Sequence, residues 1–184
     1  MIRTIWGSIV MIAVWAVAGS VPTAHAQESL EREYEIKAAF LYNFVKFVEW
    51  PAEALPEANP TLNICVLGVD PFGTALESLR NKTVKGKSLA IRRLEGVDDL
   101  GGCHVLFISS SEVKKVAEIV RALKGSSILT VGDMERFAER GGIINLVVDR
   151  NRVRFDINVG SAERARLKIS SQLLKLARVL TETP

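Results

Sequence analysis

The sequence predicts an α/β fold: a single three-layer domain with a largely parallel sheet, an antiparallel hairpin at its edge and helices on both faces. Three observations predict it. Short apolar runs of strand length alternate with helical patterns, the last two runs are separated only by a tight turn, and no repeat or low-complexity linker divides the chain.

Residues 1–26 are set aside as an export signal. Arg3 supplies the positive start, Ile5 to Ala18 is apolar apart from Gly7 and Ser8, and Thr23-Ala24-His25-Ala26 ends in the small-x-small pattern of a signal-peptidase site. Cleavage is expected after Ala26, leaving residues 27–184 as one exported domain. An uncleaved anchor is the alternative, but the run is short of the ~20 apolar residues a span needs. No cysteine follows it to carry a lipid.

The elements then follow in order. Residues 30–49 read as a helix that stops at Trp50-Pro51, since a residue before proline is pushed out of the helical region. Leu62 to Gly68 reads as a buried strand, and Asp70-Pro71 as the cap and first turn of a short helix to Leu79. Ser88 to Leu94 alternates as a strand, and residues 103–108, CHVLFI, form the next. Ser109 with Glu112 resembles a capping box for a helix to Lys124, closed by Gly125. A strand over 127–131 and a brief helix around 134–140 precede the hairpin, whose strands are 143–148 and 153–157 about a turn at 149–151. Ser161 caps a last helix expected to reach Leu180.

Composition and motifs argue against catalysis. The chain holds 24 basic and 21 acidic residues, too even a balance for a nucleic-acid binder without a reading element. Gly68-Val-Asp-Pro-Phe-Gly73 opens a helix as a phosphate loop would, yet Thr74 and Ala75 stand where lysine and serine or threonine belong. Ser109 to Ser111 sits at a strand-to-helix junction where free N–H groups can hold an anion, but capping explains these serines. His104 is the single histidine beyond the signal, and Cys103 beside it points to the opposite face of a strand, so the two form no dyad. No catalytic residue, metal site or cofactor is expected.

In an oxidising compartment Cys65 and Cys103 are expected to pair, closing a loop worth about 4 kcal/mol in the chain-entropy picture. Two thiols in separate layers of the core are the alternative.

The first helix carries more apolar surface than one core uses. Ala38, Leu41, Val45 and Val48 share one arc, while Phe40, Phe44 and Phe47 fall a quarter-turn or more away. A second helix of the chain, a second protomer or a ligand can cover the phenylalanines. On the last expected helix, Ala165, Ile169, Leu173, Leu176 and Leu180 make a core face, with Arg164, Lys168, Lys175 and Arg178 as a basic stripe opposite. Leu167 and Leu174 fall on neither and are candidates, with that stripe, for a docking surface.

The segments AAFLYNFVKFVEWP (38–51), ICVLGVDPFG (64–73), CHVLFISSSE (103–112), GGIINLVVDRNRVRFDIN (141–158) and ARLKISSQLLKLARVL (165–180) together resemble the YfiR family of periplasmic proteins. The resemblance implies a compact α/β domain able to form a homodimer. It further implies a negative regulator that binds the periplasmic region of a membrane-anchored diguanylate cyclase and represses it, lowering cyclic di-GMP and biofilm formation. An outer-membrane lipoprotein is then a second partner that sequesters the repressor. Cys65 and Cys103 match a cysteine pair of the family, whereas the second pair that some members carry in the hairpin region is missing here. The alternative function is a small-molecule sensor reporting to a histidine kinase or other membrane receptor, with its cleft at the carboxyl ends of the strands.

Overall fold

A computed structural model describes the backbone of residues 23–181 and the side chains of 27–181, so the export signal read at 1–26 lies almost wholly outside the described residues. The chain begins with helix α1 (Thr23–Phe47) and a two-residue strand β1 (Val48–Glu49). There follow β2 (Thr61–Leu67), α2 (Thr74–Glu77), β3 (Thr83–Val84), β4 (Lys87–Leu94), β5 (Val105–Ile108), α3 (Val116–Ala122) and β6 (Leu129–Gly132). The last part comprises β7 (Ile144–Asp149), β8 (Arg152–Asn158), α4 (Val159–Arg164), β9 (Lys168–Ile169), α5 (Ser171–Leu174) and β10 (Arg178–Leu180).

Eight strands make the main sheet in the order β10-β8-β7-β6-β5-β2-β4-β3. Its five central strands, β4, β2, β5, β6 and β7, are mutually parallel, and β7 and β8 form the expected antiparallel hairpin. Arg150 and Asn151 both take positive φ, 48° and 59°, which is the two-residue turn whose twist suits a hairpin.

Both faces of this sheet are covered, which is why its central strands read as unbroken apolar runs instead of alternating ones. Ile64, Val66, Val105, Phe107, Leu129 and Val131 point to one side and pack with Leu41, Phe44 and Val45 of α1. Cys65, Leu67, Leu106 and Ile108 point to the other, against Val116, Ile119 and Phe137. The three-layer α/β architecture therefore stands as the sequence predicts it, except that the β7–β8 hairpin lies one strand in from the edge, because β10 pairs outside β8.

Four local expectations are corrected. Asp70 does not cap a helix: its Oδ1 accepts from the Phe72 N–H at 2.8 Å in a turn, and α2 is a single turn starting at Thr74. Ser109 does cap, accepting from the Ser111 N–H, but it opens a 3-10 turn at 110–112, and regular helix begins only at Val116. Residues 134–140 form turns, not a helix, because Arg136 sits at φ 58°, outside the helical region.

The largest correction concerns the carboxyl-terminal region. Asn158, not Ser161, caps α4, accepting from the Ser161 N–H at 2.8 Å. The helix ends after one and a half turns because Arg166 adopts φ 57°, and the Leu167 N–H bonds back to the Ala162 carbonyl at 2.9 Å. Lys168 and Ile169 then pair antiparallel with Glu49 and Val48, Ser170 caps the single turn α5, and Arg178 to Leu180 add a parallel strand to β8. One amphipathic helix is replaced by two short ones and two strands.

Candidate functional site

The phenylalanines of α1 find their second surface within the chain. Phe155 on β8 lies edge-on to Phe40 and Phe44, with ring centroids 5.4 and 5.2 Å away, and Phe44 is fully buried. Phe40 and Phe47 are half-buried against the same core. These three residues therefore belong to the packing of α1 on the sheet.

The other contact candidates scatter with the loss of the last helix. Leu167 is buried in the core, and Leu174 is half-buried against it. Arg164 on α4 donates to the Ser161 Oγ at 2.8 Å. Lys168 stands in the β1–β9 ladder, Lys175 at the end of α5 and Arg178 on β10, so no common face makes them a stripe. An exposed apolar groove lies elsewhere, on residues the periodicity did not single out. Ile36 of α1 and Val148 of β7 are 43% and 50% exposed, and with Val153 and Arg32 they line a groove between α1 and the hairpin.

Cys65 and Cys103 form a disulfide with Cα atoms 6.0 Å apart, joining β2 to the segment that enters β5. Beside it, His104 is buried with its Nδ1 accepting from the Asn63 N–H at 3.0 Å. Its ring N–H donates to the Ala54 carbonyl, and burial, reinforced by the nearby Lys87 ammonium, pushes its pKa below the usual imidazole value. This is a neutral structural histidine.

At the carboxyl ends of β2 and β5, where connections diverge to opposite faces and ligands of such sheets usually bind, the chain has closed its own crevice. The Ser111 Oγ accepts from the Val69 N–H at 3.0 Å. Gly68, at φ 89°, lets the two loops touch: a Cβ there would stand 2.4 Å from that oxygen. Phe72 fills the rest, edge-on to Tyr34 and Phe107.

A cleft of about 400 Å³ opens two strands along, where β6 ends at Gly132 and β7 runs on past it. Register puts Asn145, Asp156 and Arg178 side by side across β7, β8 and β10, hence on one face of the sheet. The turn that follows β6 closes one side, and the middle of α1 reaches over the other. Lys37 there donates to Asp133 Oδ2 at 2.7 Å and pairs with Glu33 at 2.6 Å, while the Tyr34 hydroxyl donates to the same Oδ2 at 2.8 Å. Burial first, then the Asp133 carboxylate, drives the Tyr34 pKa above its ordinary value, so the phenol stays protonated as a donor.

Sequence reading missed this group. Its one available signal was Lys37, which stands one turn before Leu41 on the arc that faces the core and so demands a buried carboxylate. Among the described residues no three His, Cys, Asp or Glu side chains are grouped to hold a metal ion, and no helix is long and apolar enough to cross a membrane.

Comparison with solved structures finds a conserved domain protein from Vibrio cholerae, 14% identical over 81% of this chain with a TM-score of 0.48. It also finds the ABC domain in complex with L-Trp from Streptococcus pneumonia, 11% identical over 71% of this chain with a TM-score of 0.45. The matched region of those proteins is 60% and 58% of their lengths. Residues 34–178, from the tyrosine that holds Asp133 to the arginine that holds Asp156, match the YfiR/HmsC-like family, and this chain belongs to that family.

Proposed function

We propose that this protein is a periplasmic repressor that works by contact. It binds the periplasmic region of an inner-membrane diguanylate cyclase, holds it in its inactive conformation and so lowers cyclic di-GMP and biofilm formation. Family membership over residues 34–178 carries this reading. The groove between α1 and the hairpin, with Ile36 and Val148 exposed at its walls, supports it as the docking surface. A repressor of this kind shifts the enzyme only by its difference in affinity for the two conformations, so no chemistry is required of it. Export through the signal at residues 1–26, a homodimer as the working form, and capture by an outer-membrane lipoprotein complete the proposal.

The test is co-purification of the periplasmic protein with the solubilised inner membrane, together with cellular cyclic di-GMP. Wild-type protein is expected to retain a diguanylate cyclase and to keep the nucleotide low. The double variant Ile36→Glu, Val148→Glu is expected to fold, lose the cyclase and raise cyclic di-GMP. A folded double variant that retains the enzyme at full strength would refute the docking surface, and wild-type protein that captures no cyclase would refute the function.

A further inference from the structure

We infer that a second copy of this chain docks antiparallel on the outer face of α1, so that the homodimer proposed above closes through that helix. At ~100° per residue, Glu31, Glu35, Ala39, Tyr42 and Lys46 fall within one arc of α1. That arc is distinct from the one that carries Leu41 and Val45 into the core, and from Ile36 at the hairpin groove. Glu31, Glu35, Ala39 and Lys46 are exposed and Tyr42 is half-buried.

The charges on this face are divided into two clusters. Glu31 and Glu35 stand one turn apart towards the amino end, a like-charge spacing that destabilises a helix. Towards the carboxyl end two ammonium groups converge on one ring. Lys46 Nζ lies 5.0 Å from the Tyr42 centroid, and Nζ of the exposed Lys82, just before β3, lies 5.4 Å from it. Among the described residues none of these four charges makes an ion pair within its own chain. Each cluster supplies what the other lacks, yet in one chain Glu35 and Lys46 are about 16 Å apart along the axis.

A two-fold axis beside Ala39 removes that separation. Glu31 stands eight residues before Ala39 and Lys46 seven after it, so in antiparallel helices the two come level to within about 1.5 Å. Glu35 comes level with the stretch between Tyr42 and Lys46, where Lys82 also lies. Both contacts occur twice, as an isologous interface requires. Ala39 and, on α2, Ala75 line a groove of about 410 Å³ between the two helices, and small side chains let helix axes approach to ~8 Å, the near end of the usual range. A free anion would answer the lysines alone and a free cation the glutamates alone, whereas a second copy answers both at the right spacing.

This inference rests on the homodimer of the proposed function and not on its cyclase contact. Sedimentation equilibrium of the purified protein, with no cyclase present, tests it. The wild type is expected to dimerise, and more weakly as salt rises, because exposed charges are screened. Glu31→Lys with Glu35→Lys, and separately Lys46→Glu with Lys82→Glu, are each expected to weaken self-association at least tenfold. An equimolar mixture of these two double variants is expected to dimerise again, since every opposing pair is then of opposite sign. Ala39→Cys, which keeps all the charges, is expected to cross-link two chains on mild oxidation, whereas Ala117→Cys, exposed on α3, is not. A wild type that stays monomeric, a dimer indifferent to both reversals, or no cross-link at residue 39 would each overturn the proposal. The Ile36→Glu, Val148→Glu protein is expected to dimerise like the wild type, which separates failure here from failure of the cyclase contact.

Discussion

Arg178 clasps Asp156 with two guanidinium nitrogens, Nε to Oδ1 at 2.8 Å and Nη2 to Oδ2 at 2.5 Å, across the pairing of β10 with β8. The carboxylate is 5% exposed whereas the arginine is 67% exposed, so the pair matters chiefly as the partner of a buried acceptor. Arg178→Met should leave that carboxylate unsatisfied and cost about 1–3 kcal/mol in urea denaturation. Arg178→Lys should recover less than half of this, because an ammonium cannot grip both oxygens at once. A loss within 0.5 kcal/mol for the methionine variant would show that β10 is not anchored by this contact.

His104 makes stability depend on pH. Its pKa is lowered in the folded protein from about 6.5 in the unfolded chain, by burial first and then by the nearby Lys87 ammonium. Above pH ~6.5 both states are neutral and the contribution is fully present. As pH falls through that value the unfolded chain takes up the proton first, and stability drops by at most ~1.4 kcal/mol per pH unit until the folded pKa is reached. Denaturation midpoints at pH 8, 6.5 and 5 should fall in that order, and His104→Gln should flatten the upper part of the profile. Equal slopes in both proteins between pH 8 and 5 would contradict the buried neutral imidazole.

The disulfide should be complete and stabilising. Thiol labelling of the denatured protein is expected to find no free cysteine, and Cys65→Ala with Cys103→Ala should lose up to about 4 kcal/mol for a closed loop of 38 residues. Both sulfurs lie in the core layer under α3, Cys65 at 0% and Cys103 at 6% exposure. Mild reductant should therefore react slowly with the native protein and quickly once denaturant is added. Two labelled thiols per chain in protein isolated from the periplasm would overturn this.

Where the sequence was legible, a simple physical pattern spoke. Leu62–Gly68 and CHVLFI announce strands buried on both faces, and the two-residue turn at Arg150 and Asn151 sits between runs too close together for any connection but a hairpin. The stop after α4 was silent because it uses arginine in the left-handed region, a place where glycine or asparagine would have been visible. With no break signal at Arg166, the helical period ran on through Lys168 and Leu174. The only warning was Ser170-Ser171 inside the pattern, which the structure uses as the cap of α5. The cleft was hidden for a different reason: Lys37, Asp133 and Asn145 meet only because β6 stops at Gly132 while β7 continues, and strand length relative to a neighbour is written in no local motif.

Leu167 and Leu176 test that correction directly. A continuous helix puts Leu176 on its core face and Leu167 on a docking flank, whereas the structure has Leu167 at 3% exposure in the main core and Leu176 at 76%. Leu167→Ala should remove buried contacts and leave a cavity, costing about 2–5 kcal/mol. Leu176→Ala should change stability by less than about 0.5 kcal/mol, since its side chain already stands in solvent. Measured by urea denaturation of the purified protein, the opposite ranking would restore the single carboxyl-terminal helix and remove β9 and β10 from the fold.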